Sequence, residues 1–166
     1  MTLLDIYDAQ ATRLGKTTYC STAYSEDEYV MTVSLCVFDS AGNLLIRKSS
    51  PKSSVWDLSV NTYVHHGETC PKALRRETRK IPYIGSVLQA RFDIQIRTPG
   101  VIKTYYAIRK RDIQVPRDIP GISTEDVRFA SYQDVLELMS CGKFTAYEPS
   151  MLKHLFAFGS HQCPAI

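Results

Sequence analysis

The sequence predicts an α/β fold, a mixed β-sheet with helices on its faces. Three observations carry this expectation. Short runs rich in β-branched and aromatic residues alternate with stretches of helical periodicity, and turn-forming clusters separate them. The order reads hairpin, strand, helix, strands, strand, helix, helix, which is not a repeated βαβ array. The length of 166 residues, 44% of them hydrophobic and 22% charged, fits one domain over 1–166 with its own core.

Each element has a local reason. Residues 30–38 (VMTVSLCVF) read as a strand, Asp39-Ser40-Ala41-Gly42-Asn43 as a turn and Leu44–Arg47 as the returning strand. Residues 56–64 (WDLSVNTYV) read as a further strand. A helix follows from about Thr69. Pro71 is tolerated in its first turn, and Pro82 stops it and pushes Ile81 out of helical geometry. Two longer strands, Ser86–Arg97 and Val101–Arg109, meet at Thr98-Pro99-Gly100, a hairpin signal. Val127–Ala130 is a short strand. Tyr132–Met139 and Ser150–Phe158 have helical spacing, with Val135, Leu136, Leu138 and Met139 marking the apolar stripe of the first.

Composition excludes several classes. A net charge of +3 is too weak to imply nucleic acid, and Arg75, Arg76, Arg79 and Lys80 lie within one predicted helix, where they read as a solvated face. No segment approaches the roughly 18 apolar residues that span a bilayer. The opening MTLLDIYD is acidic and too short for a signal peptide. Cys20, Cys36, Cys70, Cys141 and Cys163 are odd in number and widely spaced, with no CxxC pair. That argues against a zinc site and a disulfide scaffold, and favours a reducing cytoplasm. Cys163 stands four from the end, but Pro164 is not aliphatic and no polybasic run precedes it, which weighs against prenylation.

The chemistry-bearing stretch runs from Gly67-Glu68-Thr69 to Arg76-Glu77. Glu68 and the pair Arg76-Glu77 are separated by seven residues, Trp56-Asp57 precedes the loop, and Ala73 falls at a helix core position. This pattern resembles the Nudix box, a strand–loop–helix signature. The flanks are similar to the branch related to isopentenyl-diphosphate isomerase: Asp5-Ile6-Tyr7-Asp8 with Leu14-Gly15-Lys16-Thr17, Glu28-Tyr29-Val30, Val127-Arg128-Phe129-Ala130-Ser131 and Gly142-Lys143-Phe144-Thr145. The resemblance covers nearly the whole chain and implies a Nudix-type α/β/α sandwich around a mixed sheet. It also implies hydrolysis of a small diphosphate-containing substrate with Mg²⁺ or Mn²⁺, a hard cation bound by converging carboxylates.

The box departs from its pattern where the metal would be held. Glu77 keeps the first helix carboxylate, but Lys80 and Ile81 stand three and four residues beyond it, where the family places two more. Residues at that spacing share a helix face, so an ammonium and a butyl group replace two anions that would have faced one ion. Thr62 and Tyr83 replace the terminal glycines. Glu68 and Arg76 remain, and the resemblance makes them a brace between loop and helix. The isomerase's catalytic Cys and metal-binding His align with Asn61 and Tyr63, and Ile102-Lys103-Thr104-Tyr105 carries no carboxylate, so isomerase chemistry is disfavoured.

The candidate residues are therefore Glu77 as catalytic group, Glu68 and Arg76 as brace, and Glu77 with His65 as metal ligands, since imidazole suits softer cations than Mg²⁺. Trp56, Tyr63 and Tyr105 are candidates for a substrate surface, with Tyr106 beside them. Two functions follow. One is a Nudix hydrolase of altered metal use, requiring Mg²⁺ or Mn²⁺. The other is a non-catalytic module, without a metal, that binds a nucleotide-like ligand or a protein partner. Neither involves nucleic acid or a membrane.

Overall fold

The computed structural model of this chain describes residues 1–19, 25–50, 52–111, 113 and 126–160. Cys20, His161 and the Cys163–Ile166 ending lie outside them. The chain divides into two compact units, one of Met1–Leu35 with Val60–Tyr106, the other of Cys36–Ser59 with Ala107–Ile166.

In the first unit, β1 (Leu4–Tyr7) pairs antiparallel with β2 (Arg13–Thr18). The turn between them is built on Asp8, whose Oδ1 accepts the N–H groups of Gln10 and Thr12 at 2.9 Å each. All four residues of β1 are buried, and Leu4 forms an isolated antiparallel bridge with His65. This unit also holds the start of β3 (Val30–Phe38), a nearly continuous apolar run buried almost throughout, as a strand covered on both faces should be. β6 (Val60–Tyr63) pairs with it antiparallel from Thr32↔Tyr63 to Leu35↔Val60. α1 (Cys70–Thr78) buries Ala73, Leu74 and Thr78 and packs beside β6. β7 (Arg91–Thr98) and β8 (Val101–Arg109) follow.

The second unit holds the end of β3, which turns at Asp39 into β4 (Leu44–Lys48) with Phe38 opposite Leu44. Asp39 Oδ1 accepts from the N–H groups of Ala41 at 2.9 Å and Asn43 at 2.8 Å. β4 pairs antiparallel with β5 (Trp56–Leu58) on one side and β9 (Val127–Ala130) on the other. α2 (Tyr132–Ser140) begins with a capping box between Ser131 and Asp134. α3 (Pro149–Ser160) buries Met151, Leu152, Leu155, Phe156 and Gly159, and its Phe156 ring meets Phe38 edge-on at 5.5 Å.

The larger sheet has the order β5-β4-β3-β8-β7, with β6 on β3 and β9 on β4. Val30 donates to Gly100 at one end of β3 and Phe38 accepts from Lys110 at the other, so β8 runs parallel to β3. With antiparallel neighbours elsewhere, the sheet is mixed, and the described residues add three helices.

The largest departures from the sequence expectations fall at residues 56–64, at the end of α1 and before β7. The run 56–64 is two strands, because buried Ser59 breaks the pairing and its hydroxyl donates to the Leu45 carbonyl at 2.6 Å. α1 ends at Thr78, before Pro82 could stop it. Lys80 and Ile81 turn back with bonds to the carbonyls three residues earlier, which carries Ile81 into the core at 5% exposure. The strand expected from Ser86 starts only at Arg91, since residues 86–90 form a turn closed by Ala90 N–H on Val87 O at 3.0 Å. In α2 only Val135 of the expected stripe is fully buried.

Candidate functional site

The residues singled out by the motif gather in the first unit, where the loop after β6 enters α1. Thr69 caps the helix in extended geometry without a side-chain bond, and Cys70 and Pro71 open the first turn. The turn of residues 65–68 closes through Glu68 N–H on His65 O at 2.9 Å, and the Glu68 carboxylate accepts His65 N–H at 3.1 Å. Two turns along the helix, Arg76 reaches back. Its Nε meets Glu68 Oε1 at 2.9 Å, and Nη2 meets Glu68 Oε2 at 3.0 Å and the Tyr63 carbonyl at 2.9 Å. A planar guanidinium suits this fork, because it places parallel N–H groups on one carboxylate. The Arg76 guanidinium, with lesser help from the His65 N–H, holds the Glu68 carboxyl below the ordinary glutamate range.

Arg76 also touches Glu77 through Nη1. From the other side Lys80 Nζ stands 3.0 Å from both Glu77 oxygens. The Glu77 carboxylate is thus engaged by two cations. Ile81, the next residue after Lys80, is buried in the core. Among the described residues, no group of three or more His, Cys, Asp or Glu could hold a metal ion. The residues of this helix therefore do not fit the donor set of a three-carboxylate Mg²⁺ centre.

A second cluster backs the loop. Asp5, 6% exposed, receives His66 Nδ1 at 2.7 Å on one oxygen, and Gly67 N–H at 3.0 Å on the other. Arg13 Nε lies 3.3 Å from Asp5 Oδ2, and its Nη2 donates to the Glu68 carbonyl. Burial alone would raise the Asp5 carboxyl, but these donors together hold it below its ordinary value. Neither Asp5 nor Arg13 is marked as a functional candidate by the sequence. Asp5 lies 62 residues from Gly67, and no spacing rule in one sequence joins them.

The remaining candidates are dispersed. The His65 backbone serves the Glu68 turn, whereas it is the His66 ring that meets Asp5. Tyr63 is 37% exposed, while Tyr105 is 2% exposed and belongs to the core. Tyr106 meets Phe92 edge-on at 6.1 Å. Trp56 belongs to the second unit, 9% exposed, with Arg128 and Lys48 over its ring at 5.0 and 5.4 Å. Its indole face is thus covered by cations.

No family model matches the chain, and no curated protein does. Solved structures do. The crystal structure of DR0079 from Deinococcus radiodurans superposes with a TM-score of 0.69 at 20% identity, over 92% of this chain and 98% of that one. DR0079 is named a hypothetical Nudix protein with its solution structure. The MutT protein of Methanosarcina mazei matches with a TM-score of 0.54 at 16% identity, over 80% of this chain and 96% of that one. The C-terminal domain of mouse MUTYH, solved in complex with human PCNA, matches at 0.53 and 12% identity, over 78% and 88%. At these identities the likeness is one of fold. The chain has the Nudix-type α/β/α sandwich that the sequence predicts.

Proposed function

We propose that this chain binds a small, diphosphate-containing, nucleotide-like ligand on a Nudix scaffold and does not turn it over by the family's three-carboxylate metal route. The observation that carries this reading is the state of Glu77, engaged by both Arg76 and Lys80 while Ile81 lies in the core. With Lys80 and Ile81 where the Nudix pattern has carboxylates, the surroundings of Glu77 are near neutral, and attraction to a divalent ion is weaker by on the order of a few kcal/mol than for three carboxylates. The intact Glu68–Arg76 clasp keeps the loop and helix in place, which preserves a ligand surface without requiring catalysis. The test is a panel of nucleoside and isoprenoid diphosphates with Mg²⁺ or Mn²⁺. Expected is a raised melting temperature without phosphate release, because a ligand that binds only the native state stabilises it. Metal-dependent release abolished by Glu77→Gln would overturn this reading.

That outcome is the second reading, a Nudix hydrolase using Glu77, and one observation favours it. The Lys80 side chain is 65% exposed, so its pair with Glu77 is of the surface kind, worth about 0–1 kcal/mol, and a metal could displace it at little cost.

A further inference from the structure

α1 has a second cationic face. Arg75 and Arg79 stand four residues apart, both exposed, and line one cavity of about 400 Å³ with Thr78, Pro82, Ser86, Val87 and Leu88. Like charges at this spacing repel each other on a helix surface. Among the described residues, neither guanidinium has a hydrogen bond or an ion pair.

Cations near a helix C-terminus often serve its last carbonyls. Here that use is already taken. The Arg75 carbonyl accepts from Arg79 N–H and Thr78 Oγ1, the Glu77 carbonyl from Lys80 N–H, and the Thr78 carbonyl from Ile81 N–H. Opposite the arginines, Ser86 Oγ accepts the Leu88 N–H at 3.4 Å, which leaves its own proton to donate. Leu88, 74% exposed, and Val87 make the remaining wall apolar. Two unengaged forks, a hydroxyl donor and an apolar wall around one cavity match an anion that carries an apolar or planar group.

We infer that this cavity is a metal-independent anion site, taking the phosphates of a small phosphate ester between Arg75 and Arg79 and its organic part against Pro82, Val87 and Leu88. It is separate from the Glu68–Arg76–Glu77 cluster, which uses other residues of the same helix. It needs no divalent ion, because the protein supplies the positive charge.

The test is calorimetric titration of the full chain at low ionic strength in EDTA, with inorganic pyrophosphate and with adenosine diphosphate. Both bind, the nucleotide more tightly. Arg75→Gln and Arg79→Gln each weaken binding at least tenfold, Ser86→Ala weakens it a few-fold, and Lys80→Gln leaves it unchanged. Both arginines are exposed, and circular dichroism melts confirm that the variants fold. Failure of the wild type to bind either probe in EDTA overturns the inference. So does binding that Lys80→Gln weakens and Arg75→Gln does not, a result that would leave the proposed ligand class standing and move its site. Pyrophosphate binding as tightly as the nucleotide removes the apolar half of the site.

Discussion

Arg76→Ala tests the clasp that organises the loop and α1. The substitution deletes four contacts at once: two with the Glu68 carboxylate, one with the Tyr63 carbonyl and one with Glu77. The side chains of Arg76 and Glu68 are 25% and 20% exposed. Exposed pairs contribute about 0–1 kcal/mol, whereas breaking a buried pair costs about 3–5 because the abandoned charge stays desolvated. Partial burial and the bidentate geometry put this loss between them, at about 2–3 kcal/mol. With a urea slope of about 2 kcal/mol/M, the midpoint falls by about 1–1.5 M. A double-mutant cycle with Glu68→Gln isolates the pair, with a coupling of about 1–2 kcal/mol expected for partners in direct contact. Arg76→Lys rescues little, because one ammonium cannot span both Glu68 oxygens. A loss below about 0.5 kcal/mol, or no coupling in the cycle, would reduce the clasp to a solvated surface pair.

Lys80→Glu removes a cation from Glu77 and adds an anion beside it. Even in the water-like limit of about 1 kcal/mol per unit charge pair at 4 Å, a two-charge change against a divalent ion tightens Mn²⁺ binding at least tenfold after screening. Spin-resonance titration reads this, and unchanged affinity would show that the Lys80 charge has no bearing on metal binding at Glu77. Gly159→Ala lowers stability by about 1–3 kcal/mol despite the better helix propensity of Ala. An added Cβ would stand 2.5 Å from Cδ1 of the Phe38 ring, itself fully buried; a melting temperature equal to the wild type's would count against that packing. Stability also depends on pH through Glu68 and Asp5, both held below the ordinary carboxylate range. The unfolded chain binds protons more readily than the folded one, so this stabilisation is complete above about pH 4.3 and is lost as pH falls through the lower folded values. Urea midpoints between about pH 6 and 3 follow that course, and Arg76→Ala flattens the Glu68 part.

Short-range chemistry sets the local elements of this protein. The run at 30–38, the turn at Asp39–Asn43, the hairpin at Thr98–Gly100 and the α1 start at Thr69 follow from propensity, capping and turn chemistry, which act over a few residues. The charges at Glu77 and Lys80 were legible too, because helix periodicity alone makes residues at i and i+3 neighbours. Long-range packing set the rest. It put Ile81 into the core, although helix spacing alone would leave it beside the exposed Lys80. It split residues 56–64 at Ser59 between partners on β4 and β3, and it brought Asp5 and Arg13 up behind the loop of Glu68. Arg75 and Arg79 looked in sequence like any solvated helix face, and only the chain folding back after Pro82 set Ser86, Val87 and Leu88 opposite them. The reason is common to all of these. Contacts between residues far apart in the chain depend on where the whole backbone returns, and no pattern within a single helix or strand encodes that path.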